Sequence, residues 1–278
     1  MGIYHCGSSP NVGIGDLQNI LYICTIIIVS YAQSMMIADL ICCKTMNNTP
    51  IIGTCIALSP DMKLFELIDA HPSLLSIFLR LNMALPKGDI SVGEVCRRDG
   101  YSVDMFLMLC SMHLSPSYRP SSISLKKDML EGVVGYLRAS HRYYTTYMLP
   151  HVASHLDKVL EHCDSLSERV LRRFYTEYVE FLTRHFEEEE RNIFSISESP
   201  DRLVSADFSM LEAPHGDIDD RTNDIASLIF KSLPEGVPTP LRCTMLEHIY
   251  MLRDDLRRHS DIEMYLLRPI VAKYQNGR

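Results

Sequence analysis

The chain has 278 residues, of which 46% are hydrophobic and 22% are charged, and this composition is typical of a globular protein in water. Its formal net charge of −8 argues against a general binder of nucleic acid or of acidic membranes, because both need an excess of positive charge. The nine cysteines are irregularly spaced and form no Cys-x-x-Cys pattern, which predicts reduced thiols and a cytoplasmic protein.

The first 45 residues differ in character from the rest of the chain. Residues 17–38 carry no charged side chain, and the stretch is about as long as a membrane-spanning helix. Polar side chains interrupt it, however, and it lacks the preceding Lys or Arg of a signal peptide. We predict that residues 1–45 are an N-terminal extension that is poorly ordered or precedes the natural start, with a membrane anchor as the less favoured alternative.

Residues 46–118 have the pattern of a small helical domain. Ser59-Pro60 is a typical helix start, and Ser91-Val-Gly-Glu94 has the spacing of a capping box. Two adjacent short helices allow a helix-turn-helix, but too few basic residues accompany them to favour DNA binding. The Pro- and Ser-rich segment 115–122 marks the domain boundary. The helices are predicted over residues 62–69, 72–81, 91–98 and 102–113.

Four long helices are predicted in residues 119–278. Pro150 is expected to kink or divide the first of them. Ser165-Leu-Ser-Glu168 has the spacing of a capping box and is expected to open the second. The predicted fold is therefore all-α, a four-helix bundle preceded by a small helical domain. The four helices are predicted over residues 125–163, 165–194, 214–232 and 239–274.

Two pairs of a histidine and a glutamate, each four residues apart, are the main functional signal. His185 and Glu189 lie on one predicted helix, and His259 and Glu263 lie on another. Residues four apart project from the same face of a helix, so each pair can hold one metal ion between two side chains. Glu189 belongs to a run of four acidic residues, 187–190, and we expect it to be the one that faces inward.

The other bundle helices supply further histidines. His141 and His162 lie on the first helix, and His215 opens the third. Imidazole and carboxylate ligands suit iron, manganese or zinc, and two bridging glutamates would hold two ions rather than one. His248 shares a face with His259 and could be a ligand, but we favour a residue that packs beside the ligands or orients them. A bundle without metal, in which the histidines are structural, is the alternative.

These residues resemble those of the iron–sulfur cluster repair proteins, or repair of iron centres family, whose di-iron domain is hemerythrin-like. The resemblance covers residues of about 128–270 and implies a di-iron centre bridged by Glu189 and Glu263. It also implies a role in the repair of iron–sulfur clusters damaged by nitric oxide or oxidants, as an iron donor rather than a turnover enzyme. The terminal ligands that it implies are His141, His162, His185, His215 and His259.

Residues 91–100 resemble part of the small N-terminal domain of the same family. The Cys-Cys pair that usually precedes this helix is replaced by residues 83–88, and Cys42-Cys43 lies too far upstream to align with it. The expected partners are damaged iron–sulfur proteins, with no nucleic acid and no membrane. A homodimer is possible, and the sequence does not decide the oligomeric state. A module that binds or senses dioxygen or nitric oxide, without repair activity, is the alternative function.

Overall fold

The structure is a computed structural model that describes residues 58–197, residue 208 and residues 212–275, with the side chains of 212–214 left out. All of these residues belong to one compact unit, Cys55–Arg278. The extension predicted for residues 1–45 lies outside the described residues. Within the described part, no helix combines the length and the apolar character needed to cross a lipid bilayer.

The described part of the chain is built from ten α-helices, which confirms the all-α fold. Four short helices come first: α1 Leu64–Ala70, α2 Leu75–Leu81, α3 Val92–Asp99 and α4 Val103–Leu114. The four-helix bundle follows, and its first and last helices are each divided in two. Its helices are α5 Leu130–Tyr143 with α6 Leu149–Leu160, α7 Ser165–Asn192, α8 Glu212–Ser232, and α9 Thr239–Ile262 with α10 Arg268–Gln275.

Of the two predicted capping boxes, one is present in the structure and the other is not. Ser91 and Glu94 form one at the start of α3, since the Ser91 hydroxyl accepts from the Glu94 N–H and the Glu94 carboxylate accepts from the Ser91 N–H. The second prediction is wrong by one residue, because α7 is capped by Asp164. The Asp164 carboxylate accepts from the N–H groups of Leu166 and Ser167, both at 2.9 Å, and so satisfies two free donors of the first turn.

Both divided helices contain a π-helical turn that ends two residues before a proline. The turns are Tyr144–Met148 and Glu263–Leu267, and the prolines are Pro150 and Pro269. A proline cannot donate the usual hydrogen bond, and its ring collides with the carbonyl four residues earlier. The wider π turn removes this conflict while the chain continues as a helix. The prediction that Pro150 kinks or divides the first helix is thus confirmed as a division, whereas the division near Pro269 was not predicted.

The short helices and the bundle share one hydrophobic core. Buried side chains of α1–α4 pack with those of α5, the segment after α7 and the chain from Ile262 to Val271. A second core fills the other end of the bundle. Arg80 of α2 also reaches into the bundle, where it forms a buried ion pair with Asp255 of α9. The short helices therefore hold one end of the bundle in place, and the division at residue 119 stays a prediction.

Candidate metal centre

Six of the seven predicted ligands come together inside the bundle. The α5, α7, α8 and α9 helices each supply one histidine, α7 adds a glutamate, and a second glutamate begins the π turn after α9. Five of these side chains are buried, and the sixth, that of His215, is 11% exposed. The six residues are His141, His185, Glu189, His215, His259 and Glu263.

The four histidines form two pairs, and Glu189 lies between them. On one side, Glu189 Oε1 is 2.9 Å from His185 Nε2 and 3.2 Å from His215 Nε2. On the other side, Glu189 Oε2 is 3.1 Å from His141 Nε2 and 3.9 Å from His259 Nε2. The two oxygens of this carboxylate thus face different histidine pairs.

Glu263 has the same arrangement. Its Oε2 lies 3.0 Å from His215 Nε2, and its Oε1 lies 3.3 Å from His259 Nε2. Two carboxylates therefore span the same two histidine pairs from different helices. A carboxylate that offers one oxygen to each of two ions can bridge them and neutralise part of the charge of both.

The unpaired atoms of the cluster fit bound cations. Three buried carboxylate oxygens, Glu189 Oε2 and both oxygens of Glu263, have no hydrogen-bond donor of normal geometry in the described part of the chain. Nε2 of His141 and Nε2 of His259 lie only 3.0 Å apart. Buried acceptors without a partner are costly, and a cation among them would satisfy them all. Nitrogen and oxygen donors of this kind suit iron, manganese or zinc.

Side chains around the cluster orient and enclose it. Glu190 Oε1 lies 3.2 Å from His141 Nδ1, and Arg138 Nε donates to the other Glu190 oxygen over 2.9 Å. Such a contact at Nδ1 favours Nε2 as the ligand nitrogen of His141. The Phe186 and Phe194 rings stack on the His141 ring at centroid distances of 4.3 and 5.0 Å. The His141 ring is therefore held by two aromatic rings and by one carboxylate.

The pKa values in the cluster are set by burial and by the close pairing of opposite charges. Burial raises the pKa of Glu189, but its histidine contacts outweigh this and hold it well below the ordinary value. Burial lowers the pKa of His215 and His259, but the carboxylates raise it to about 10 and about 9. Without metal, both imidazoles are protonated at neutral pH, so a cation must displace protons to bind.

The structure does not bring His162 to the centre. It is exposed and lies in the turn after α6, outside the three ligand groups found in the described residues. The chain between His141 and His162 is helical over most of its 21 residues, which separates the two by roughly 30 Å. Their order along the sequence did not reveal this separation. We therefore leave His162 out of the proposed ligands.

Burial within the acidic run agrees with the predicted orientation. Glu189 is buried, Glu187 and Glu188 are exposed, and Glu190 is partly buried against His141. The prediction that Glu189 is the inward-facing member is confirmed.

Sequence reasoning missed a second group of histidines. His151 and His155 of α6 come together with His248 of α9. The spacing of four residues between the first two was a visible signal, but nothing in the sequence indicated that His248 would face them.

One comparison with known proteins is positive. The family model of the hemerythrin HHE cation binding domain matches residues 133–271, half of the 278 residues. No curated protein and no solved structure is similar enough to the chain to be matched. All six clustered ligands lie within the matched range. The match and the His and Glu clusters agree in indicating a domain that binds metal cations. The chain belongs to the hemerythrin HHE cation-binding family.

Proposed function

We propose that this protein holds two iron ions and repairs iron–sulfur clusters damaged by nitric oxide or by oxidants. The observation that carries the proposal is the pair of buried carboxylates, Glu189 and Glu263, each of which faces both histidine pairs. Two divalent ions would place four positive charges against two carboxylates. Bridging shares each negative charge between both ions, which matters most in a buried site.

The ligand chemistry supports a labile rather than a permanently held metal. The ligands are imidazoles and carboxylates, and none of the four cysteines in the described part of the chain belongs to the cluster. Thiolates select iron–sulfur clusters, zinc and copper(I), whereas imidazole and carboxylate ligands suit iron, manganese or zinc. Iron is here the cargo that a damaged cluster takes up.

A cleft beside His215 supports exchange with the solvent. The cleft measures about 310 Å³, lies between α8 and α9, and is lined by His215 together with Asp219 and Asp261. Arg253 and Arg257 also line the cleft, and Arg257 pairs with Asp219, so acidic and basic side chains balance along the opening. His215 is the most exposed of the six ligands, so the cleft gives a leaving ion a short path.

Protonation of the ligands would accompany release of the ion. The carboxylates raise the pKa of His215 to about 10 and that of His259 to about 9, although burial opposes both shifts. These imidazoles therefore take up protons at neutral pH once the ion has left. The charge lost with the cation is partly replaced, and the carboxylates do not remain unpaired in the core.

The experiment combines metal analysis with an activity assay. We expect the parent protein to contain two irons per chain and to reactivate an iron–sulfur enzyme treated with nitric oxide. His185→Ala removes one ligand that contacts Glu189 and should lower both readouts, whereas His71→Ala, outside the cluster, should change neither.

Different outcomes would refute different parts of the proposal, namely the repair activity or the identity of the metal. Two irons per chain without reactivation would refute repair and leave the metal centre standing. Zinc or manganese in place of iron would refute the iron assignment. A reversible spectral change on exposure to dioxygen or nitric oxide, without loss of iron, would instead indicate gas binding or sensing.

A further inference from the structure

A second histidine cluster lies on two of the helices of the bundle, away from the centre described above. His151 and His155 are four residues apart on α6, so both project from the same face of that helix. His248 lies on α9, the helix that packs against α6. It precedes His259 by 11 residues, which is about 16 Å along the helix axis.

The three imidazoles face one another. Their ring centroids are 4.7 Å apart for His151–His155, 4.7 Å for His151–His248 and 4.2 Å for His155–His248. One ring nitrogen from each residue lies within 4.8 Å of those of the other two. Apolar packing alone would not bring the three ring nitrogens together. The ring carbons could fill the same space while the nitrogens faced water.

The distances suit a small divalent ion. Nε2 of His151 and Nε2 of His248 are 3.2 Å apart. Zinc binds imidazole nitrogen at about 2.0–2.1 Å, and in a tetrahedral site this places two donors about 3.3 Å from each other. The His151–His248 spacing is therefore close to that of an occupied site, and the His155 nitrogen lies within 4.8 Å of both.

The environment also favours ligation. His248 is 7% exposed, its buried Nδ1 has no hydrogen-bond partner of normal geometry in the described part of the chain, and its Nε2 lies 3.2 Å from His151 Nε2. Its Nε2 is then the nitrogen directed at the other two rings. His151 and His155 are partly exposed, so an ion would be reached from solvent and a water could complete its coordination.

The surroundings of the three side chains disfavour the charged imidazolium form. Burial, together with neighbouring positive charge, lowers the pKa of all three imidazoles, that of His155 to about 4. Lys158 contributes to this in each case. The neutral form that burial favours is the form whose nitrogen lone pair binds a metal.

We propose that His151, His155 and His248 form a second, mononuclear metal site that takes zinc. The cluster contains three imidazoles and no carboxylate, whereas the main centre combines both kinds of ligand. Three-histidine sites with an open fourth position suit zinc and the other late divalent metals of the first row. The site is distinct from the proposed iron centre in ligands, in position and in metal preference.

The test measures zinc binding to the full-length protein, with iron counted separately. Zinc chloride is titrated calorimetrically, and bound zinc and iron are then counted by elemental analysis. The double variant His151→Gln/His155→Gln removes two ligands from partly exposed positions, so the fold should be preserved. His71→Gln is the control, because His71 lies outside all histidine clusters of the described residues.

We expect the parent and His71→Gln to bind one more zinc per chain than the double variant, at equal iron content. Cobalt(II) serves as a second probe, since a four-coordinate site gives it intense visible absorption that the double variant should lack. Equal zinc binding by the parent and the double variant would overturn the proposal. The readout is a difference of one zinc ion per chain between the parent and the double variant. The test is therefore valid even if the main centre contains no iron.

Discussion

Replacing Arg80 with leucine removes the positive partner of a largely buried carboxylate, that of Asp255. Arg80 and Asp255 form an ion pair whose side chains are 3% and 13% exposed. Arg80 Nη1 also donates to the Tyr136 hydroxyl over 2.8 Å, and that hydroxyl contacts His113 at the same distance. The pair joins α2 to α9 one turn before His259, so it links the short helices to the helix that carries a metal ligand.

The loss of folding stability in Arg80→Leu can be judged from two free energies. Removing one member of a buried ion pair typically costs about 3–5 kcal/mol, because the other charge is left buried without its partner. Burial raises the pKa of Asp255, but Arg80 and then Arg258 hold it at about 2, below the ordinary 3.8. That shift corresponds to about 2 kcal/mol of stability at neutral pH. Since Arg258 remains in the variant, we expect a loss near 3 kcal/mol.

The assay is chemical denaturation of the metal-free protein at pH 7, followed by circular dichroism. Arg257→Leu is the matched control, because Arg257 forms an ion pair with Asp219 in which the side chains are 48% and 32% exposed. Exposed pairs contribute about 0–1 kcal/mol, so the control should change little.

The pH dependence provides a second readout. The lowered pKa of Asp255 means that its stabilising effect is fully present above the ordinary value and is lost as the pH falls towards 2. The difference between the parent and Arg80→Leu should therefore shrink below about pH 4. A loss under about 1 kcal/mol at pH 7, equal to that of Arg257→Leu, would refute the reasoning.

Three further predictions concern the metal centre. Glu189→Gln should lower the bound iron from two ions per chain to one or none by elemental analysis, while Glu188→Gln, at an exposed position, keeps both; equal losses would contradict the bridging role. His162→Ala should leave the iron content unchanged, because His162 is exposed outside the cluster, and a loss of iron would place it among the ligands.

The third of these concerns pH. Because the pKa values of His215 and His259 are raised to about 10 and about 9, loading the metal-free protein at pH 7 should release about two protons from these imidazoles, measurable with an indicator dye. The stability that they give the metal-free protein is full below the ordinary 6.5 and is lost as the pH rises through 9 to 10. Proton release near zero would contradict these pKa values.

Much of the fold followed from local patterns. The bounds of the short helices and of the bundle helices lie within a few residues of the predictions, because capping residues, prolines and helical periodicity act over one or two turns. The π turn before Pro269 was missed, although Pro150 was recognised as a break. Whether a proline causes a kink, a break or a π turn depends on the packing around it.

The sequence by itself determined which residues could bind one metal ion as a pair on the same face of a helix. His185 with Glu189, and His259 with Glu263, share a face because the period of the helix is a local property. The same reasoning selected Glu189 from four neighbouring glutamates. Burial confirms that choice.

Only the tertiary structure decided which side chains from different helices meet. It placed one oxygen of Glu189 against each histidine pair, left His162 at the surface, and brought His248 to His151 and His155. Contacts between helices depend on their relative rotation and axial shift, which the packing of the whole core sets and no local spacing reveals. The main centre could therefore be predicted in composition but not in pairing, and the second cluster could be found only in three dimensions.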